Sequence, residues 1–388
     1  MTRQDRAPQK LTIENLESRR LLAGDVMADV IDGRLVVTGD EADNQVHISS
    51  GENAGEYVIA GIPAPDGTNT TVNGQDGPVL VTGVTGGTRI VTGDGNDLVD
   101  VSHAHFKNLA IATGAGDDSV RIGVSNPTPD PTSPSPGDET PDGGEEGTTP
   151  VPPDVEPSVV VRGQFRLRTG VGNDNVVERS LVVHRGHSIR TGAGEDNVIL
   201  GASRPDDGRA EDGETAGDPS SVAPPETAHS ALNVRGALMI GTGGGSDNLV
   251  LHAADAQSVH IRTGAANDHV LLDQVHGHNG IWAQTGGGDD TIAMNHVRAR
   301  WAWMLTGQGG DHVALHDASF AILGIYLGGG DDGLEMRDTQ VGRMAFIAGG
   351  DDTDSFVKDA ATHLAHAHVT GFELPPRDGG DGGDGDDL

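Results

Sequence analysis

Ten aspartates occupy the same place in a recurring phrase, Thr-Gly-x-Gly-x-Asp-x-apolar: Asp97, Asp118, Asp174, Asp196, Asp247, Asp268, Asp290, Asp311, Asp332 and Asp354. The phrase begins at Thr92, Thr113, Thr169, Thr191, Thr242, Thr263, Thr285 and Thr306, with Leu327 and Gly349 in the threonine slot of the last two copies. A degenerate copy, Thr38-Gly39-Asp40-Glu41-Ala42-Asp43-Asn44, lies upstream. Carboxylates repeated in this way set hard anionic oxygens in a row. Such a row either accepts local backbone hydrogen bonds as a polar ladder or repels itself until cations quench the charge.

Histidine is the second reactive set, with 17 copies. His269 and His312 directly follow an aspartate of the phrase, His252 and His316 lie five after it, and His103 and His296 six after it. His276 and His278 form His-Gly-His, and His363, His366 and His368 cluster further on. Imidazole suits Zn²⁺, Cu²⁺ or Ni²⁺, but this spacing is scattered and has no Glu-bearing metalloprotease pattern, so solvated or ladder histidines are expected. Trp301 and Trp303 with Arg298 and Arg300 form one aromatic–basic patch, and Trp282 lies nearby in sequence. Such a patch can stack sugars or pack between layers; packing is the expectation.

The elements that must position these groups follow from periodicity. The aspartates are separated by 21, 56, 22, 51, 21, 22, 21, 21 and 22 residues. Two residues past each aspartate the side chain is always apolar, from Val99 to Phe356, and four past it usually apolar, with Glu178 and Lys358 as exceptions. A second period-two pair precedes the threonine slot, as in Leu109 and Ile111 or Val259 and Ile261. A weaker set lies seven and nine past the aspartate, such as Ala104 and Phe106. Period two is the mark of a strand with one buried face. Gly and Asp in every repeat argue against helices. The predicted fold is all-β, a parallel β-helix (solenoid) of 21–22-residue coils, stacked at ~4.8 Å and each held by its neighbours.

The two long separations are a repeat plus an insert. Residues 126–157 and 202–229 are Pro-rich and acidic, with no apolar period, and are predicted to be disordered loops. The expected organisation is a sorting or disordered segment at 1–25, irregular first coils or a cap at 26–91, the solenoid at 92–374, and an acidic Gly/Asp tail at 375–388.

Composition narrows the function. Across 388 residues, 59 acids against 25 bases give a charge of −34, which excludes holding a nucleic-acid backbone by net field. Zero Cys removes disulfide scaffolds, thiolate metal sites and Cys nucleophiles. No apolar run approaches the length of a membrane-spanning helix.

Two resemblances add to this reading. The phrase Gly-x-Gly-x-Asp-x-apolar resembles the RTX (haemolysin-type) repeat, although that family has Gly where this chain has Thr, and repeats at nine residues. The resemblance implies calcium, which needs six to eight oxygens at ~2.3–2.6 Å. Two stacked turns could supply them from Asp97, Asp118, Asp174, Asp196, Asp247, Asp268, Asp290, Asp311 and Asp332 with their turn carbonyls. Ala266 fills a glycine slot and weakens the expectation at Asp268. Near the N-terminus, Leu16-Glu17, Arg19 and Leu21-Leu22 resemble the LEPR-XLL sorting segment of large bacterial surface and secreted proteins, with Ser18 where that family has Pro.

The resulting expectation is a secreted or cell-surface bacterial β-solenoid with a structural or adhesive role, calcium-binding, with partners among cell-surface or extracellular-matrix components. Two alternatives stay open. Coils of this length also resemble the pectate lyase-like class, with Arg168, Arg190 and Arg262 in one outward slot and Asp100 or Glu335 as acids. No residue cluster breaks the repeat as catalytic sites usually do, so catalysis is the weaker reading. The other alternative is a metal-independent surface spacer.

Overall fold

In the computed structural model, residues 24–64, 68–124, 158–201 and 232–373 are described. They form 31 strands and no helix, in one sheet of 18 strands and one of 13. Both expected inserts, the tail and nearly all of the N-terminal segment lie outside these residues.

Each coil contributes one strand after its aspartate to the second sheet, and one before its threonine to the long sheet. Successive coils pair in parallel and in register: Val120 faces Val99 and Val176, and Ile111 faces Ile90 and Leu167. Residues 56 apart in sequence, such as Leu109 and Phe165, are therefore direct neighbours. A third short strand, Ala104–Phe106, Val159–Val161 or Leu181–Val183, fills the remaining edge. From Leu232–Gly244 onward it merges with the strand before the threonine into one longer strand with a register shift.

The period-two apolar residues all point inward. Val99, Val120, Val198, Ile240, Ile261 and Met336 are buried among aliphatic neighbours. Glu178, predicted as a break in that pattern, is also fully buried. It meets His187 of the next coil, with Nε2 to Oε2 at 2.7 Å, and His187 stacks on Phe165 at 4.3 Å. The core thus accepts one polar pair because each member supplies the other's partner.

The turn of the phrase requires glycine. Gly170 sits at φ +128°, and a Cβ there would come within 1.7 Å of the Gly114 carbonyl oxygen. Ala266 replaces one such glycine and still takes φ +80°, a backbone state that costs a non-glycine residue free energy. A second corner lies six residues past the aspartate, where His103, Ser180, Gln274, His296, Asp317 and Asp338 all have positive φ. Asp and His tolerate that state better than most residues. This explains two of the recurrent histidines without any ligand.

The degenerate upstream copy is a full coil. Leu35–Thr38 pairs in parallel with Thr88–Val91, and Gln45–Ile48 with Leu98–Val101. Antiparallel partners cover these first strands: Asp25–Ile31 on one side and Tyr57–Gly61 on the other. Antiparallel pairing closes the exposed sheet edge at this end of the stack.

Candidate functional site

The ten aspartates are brought into one column, as stacked coils require. Their residues are buried, at 1–3% exposure. Each Oδ1 accepts a hydrogen bond from the backbone N–H of the corresponding aspartate one coil earlier, at 2.7 to 3.0 Å. The column starts at Asn44, whose N–H donates to Asp97 at 2.8 Å, and ends where the Asp354 N–H donates to the Glu373 carboxylate. Sequence reasoning passed over both end groups. Asn44 lies six residues past Thr38, not five, so the phrase's spacing points to Asp43 instead; the inward Val46 and Ile48, two and four residues further on, are the signal that marks Asn44.

The other carboxylate oxygen is treated differently. Oδ2 has no hydrogen-bond partner in nine of the ten aspartates; in Asp174 it accepts from the Thr169 hydroxyl. In the phrase's eight threonine-bearing copies, that hydroxyl stands beside its own aspartate. From Thr92 to Thr285 it also donates to the carbonyl of the next coil's threonine at 3.2 to 3.3 Å. One hydroxyl hydrogen cannot serve both acceptors. A proton on the carboxyl would remove the conflict, with Oδ2–H donating to the threonine oxygen and the hydroxyl donating onward to the carbonyl.

Burial acts in the same direction. Loss of water pushes Asp97 up to about 7, and Asp174, Asp196, Asp268 and Asp311 up to about 6. Asp118, Asp247, Asp290, Asp332 and Asp354 are raised for the same reason. The threonine hydroxyl and the accepted N–H oppose the rise, while neighbouring carboxylates reinforce it at Asp97, Asp174 and Asp196.

The preceding position makes a second, exposed ladder that runs the other way. Here the side-chain oxygen accepts from the backbone of the coil that follows: Asp43 from Asn96, Asn96 from Asp117, Asp117 from Asn173, and Asp289 from Gly310. Asp331 accepts from Thr353 in the same way. The turn's own N–H groups are also used, as in Gly95 to the Ala115 carbonyl and Gly116 to that of Val171.

These facts define what the column offers a calcium ion. The unpartnered Oδ2 atoms are hard oxygens of the right kind. Two adjacent coils supply two such carboxylate oxygens, so the turn carbonyls would have to furnish most of the about six to eight ligands that calcium takes.

Histidines gather instead at the corner after the second sheet. His252 and His296 contact Asp273 at 2.9 and 3.1 Å. Burial pushes the Asp273 carboxyl up, but the two imidazoles outweigh it and leave the group below its ordinary value. His276 and His278 both face Asp255, at 3.6 and 2.9 Å. Among the described residues this trio is the one group of three whose ligand atoms lie within 4.8 Å of one another.

The residues of the enzyme alternative do not converge. Arg168, Arg190 and Arg262 project from the long sheet, whereas Asp100 and Glu335 belong to the second sheet, beside His47 and Arg337. The tryptophans are on the outer surface of the long sheet. Trp303 is 40% exposed, and Arg262 lies 4.6 Å over the Trp282 ring. Among the described residues no helix is long and apolar enough to cross a membrane. No curated protein and no solved structure matches this chain. Residues 9–26 match the model of the family described as Planctomycete extracellular.

Proposed function

We propose that this protein is a bacterial extracellular rod with a structural and adhesive role at the cell surface, its coils fastened by the buried aspartate column. The observation that carries this reading is the unbroken run of hydrogen bonds from Asn44 through ten aspartates to Glu373. It joins every coil to the next irrespective of what the outer surface displays. The extracellular family segment supports the location. The test is antibody labelling of intact producing cells and assay of their medium. Surface or medium signal is expected, and signal only after lysis would overturn the reading.

Calcium at the column is a second reading, favoured by the nine unpartnered Oδ2 atoms. Calcium would neutralise carboxylates that burial makes costly to ionise, and its binding free energy would add to folding. Calorimetric titration at pH 7.5 separates the two readings. Heat saturating at a fixed number of ions per chain, with a raised melting temperature, supports calcium. No heat and no shift leave a metal-independent fastener.

A further inference from the structure

We propose that the outer face of the long sheet is a binding surface for a linear anionic polysaccharide. This rests on the adhesive part of the reading above and names its ligand class. Two outward columns run the length of the stack, one register position per coil, from Val36 to His368 and from Thr38 to Thr370. Neither contains a single Asp or Glu, in a chain that has 59 of them. The first holds Arg89, Arg166, His260, Trp282, Trp303 and Phe346; the second holds Arg168, Arg190 and Arg262. Among the described residues, Arg168, Arg190 and Arg262 have no carboxylate partner, so their guanidinium groups are free to pair with one.

The aromatic half of the face is built flat. A Cβ on Gly280 would lie 2.1 Å from the Trp301 ring, and one on Gly324 would lie 2.0 Å from the Trp303 ring. Glycine at these two positions lets each indole lie down over a neighbouring coil. Trp303 and Phe346 continue the platform nearly parallel, at 15°. The tryptophans, His260 and Arg262 enclose a trough of about 550 Å³, and a smaller one of about 170 Å³ extends it past Arg190 and Met239. His260, Arg262 and Trp282 line both.

The two halves ask for different things from one ligand. Guanidinium forks select carboxylate or sulfate, and flat indoles take an apolar ring face. An acidic sugar polymer lying along the axis presents both in alternation. A nucleic acid strand also has rings and anions, and oligothymidylate is therefore the competing ligand in the test. An exported protein also meets polysaccharide as its surroundings.

The test is calorimetric binding of the whole chain to alginate, dextran sulfate, neutral dextran and oligothymidylate at low salt. Alginate and dextran sulfate distinguish carboxylate from sulfate. At least one is expected to bind tenfold or more tighter than dextran and oligothymidylate, weakening as salt rises. Arg190→Ala with Arg262→Ala, and separately Trp282→Ala, should each lower that affinity at least tenfold with unchanged circular dichroism. Equal affinity for dextran, tighter binding of oligothymidylate, no binding of either anionic polymer, or unaffected variants would overturn the proposal. If the proposal fails while the protein still labels on intact cells, the polysaccharide ligand is lost and the extracellular rod stands.

Discussion

The aspartate column and the arginine–tryptophan face belong to the same coils, yet they follow opposite rules. Inside the turn, every coil after the first, which has Asn44, presents an aspartate, because each carboxylate accepts one particular N–H from its neighbour. On the outer face, register partners run Arg166, Ser188, Met239, His260, Trp282 and Trp303, with no residue type common to the coils. A position that holds the stack together is confined to side chains that fit its hydrogen bond, and a position that only faces outward is not. In this molecule the repeated residues carry the architecture, and the unrepeated ones are where recognition can be built.

Substitutions at four places test that contrast, in order of effect. Glu178→Ala or His187→Ala leaves one member of a buried pair alone and should destabilise by about 3–5 kcal/mol, whereas replacing both by Leu should cost much less; denaturant melts of the three variants check this. Asp268→Ala removes the acceptor of the Asp247 N–H while leaving its coil otherwise intact. A loss of about 1–3 kcal/mol is expected. Asp268→Asn keeps an amide oxygen to accept the Asp247 N–H and should hold or raise the melting temperature at pH 7.5. Ala266→Gly relieves a positive-φ residue and should stabilise by about 1 kcal/mol. Arg168→Ala, on the outer face, should change stability by less than about 0.5 kcal/mol.

Much of the architecture was legible because it is periodic. The spacing of Val99, Val120, Val198 and Leu249 places them on one inward face, and all are buried. The column itself was legible for the same reason. The burial of its aspartates was harder to foresee, since Asp next to Gly reads as a solvated turn until the coils are stacked. Glu178 looked like an error in the pattern because its partner His187 lies in the next coil, and pairing across coils has no local signature. The two acid-free columns were hidden for a related reason. Their residues are about 20 positions apart in the chain, and only the register aligns them.

The most direct measurement compares the pH dependence of thermal unfolding in the wild type and in a variant carrying Asp196→Asn, Asp268→Asn and Asp311→Asn. These three carboxyls are raised from 3.8 to about 6 by burial in the folded chain. The folded state therefore holds their protons more tightly than the unfolded state. Their stabilisation is full below the unfolded value and is lost as pH rises through about 6. The wild type should lose melting temperature as pH rises from about 4 to about 7, and the variant, spared those ionisations, should lose distinctly less. Parallel curves would contradict the account, because they would show that the column's protons do not take part in holding the coils together.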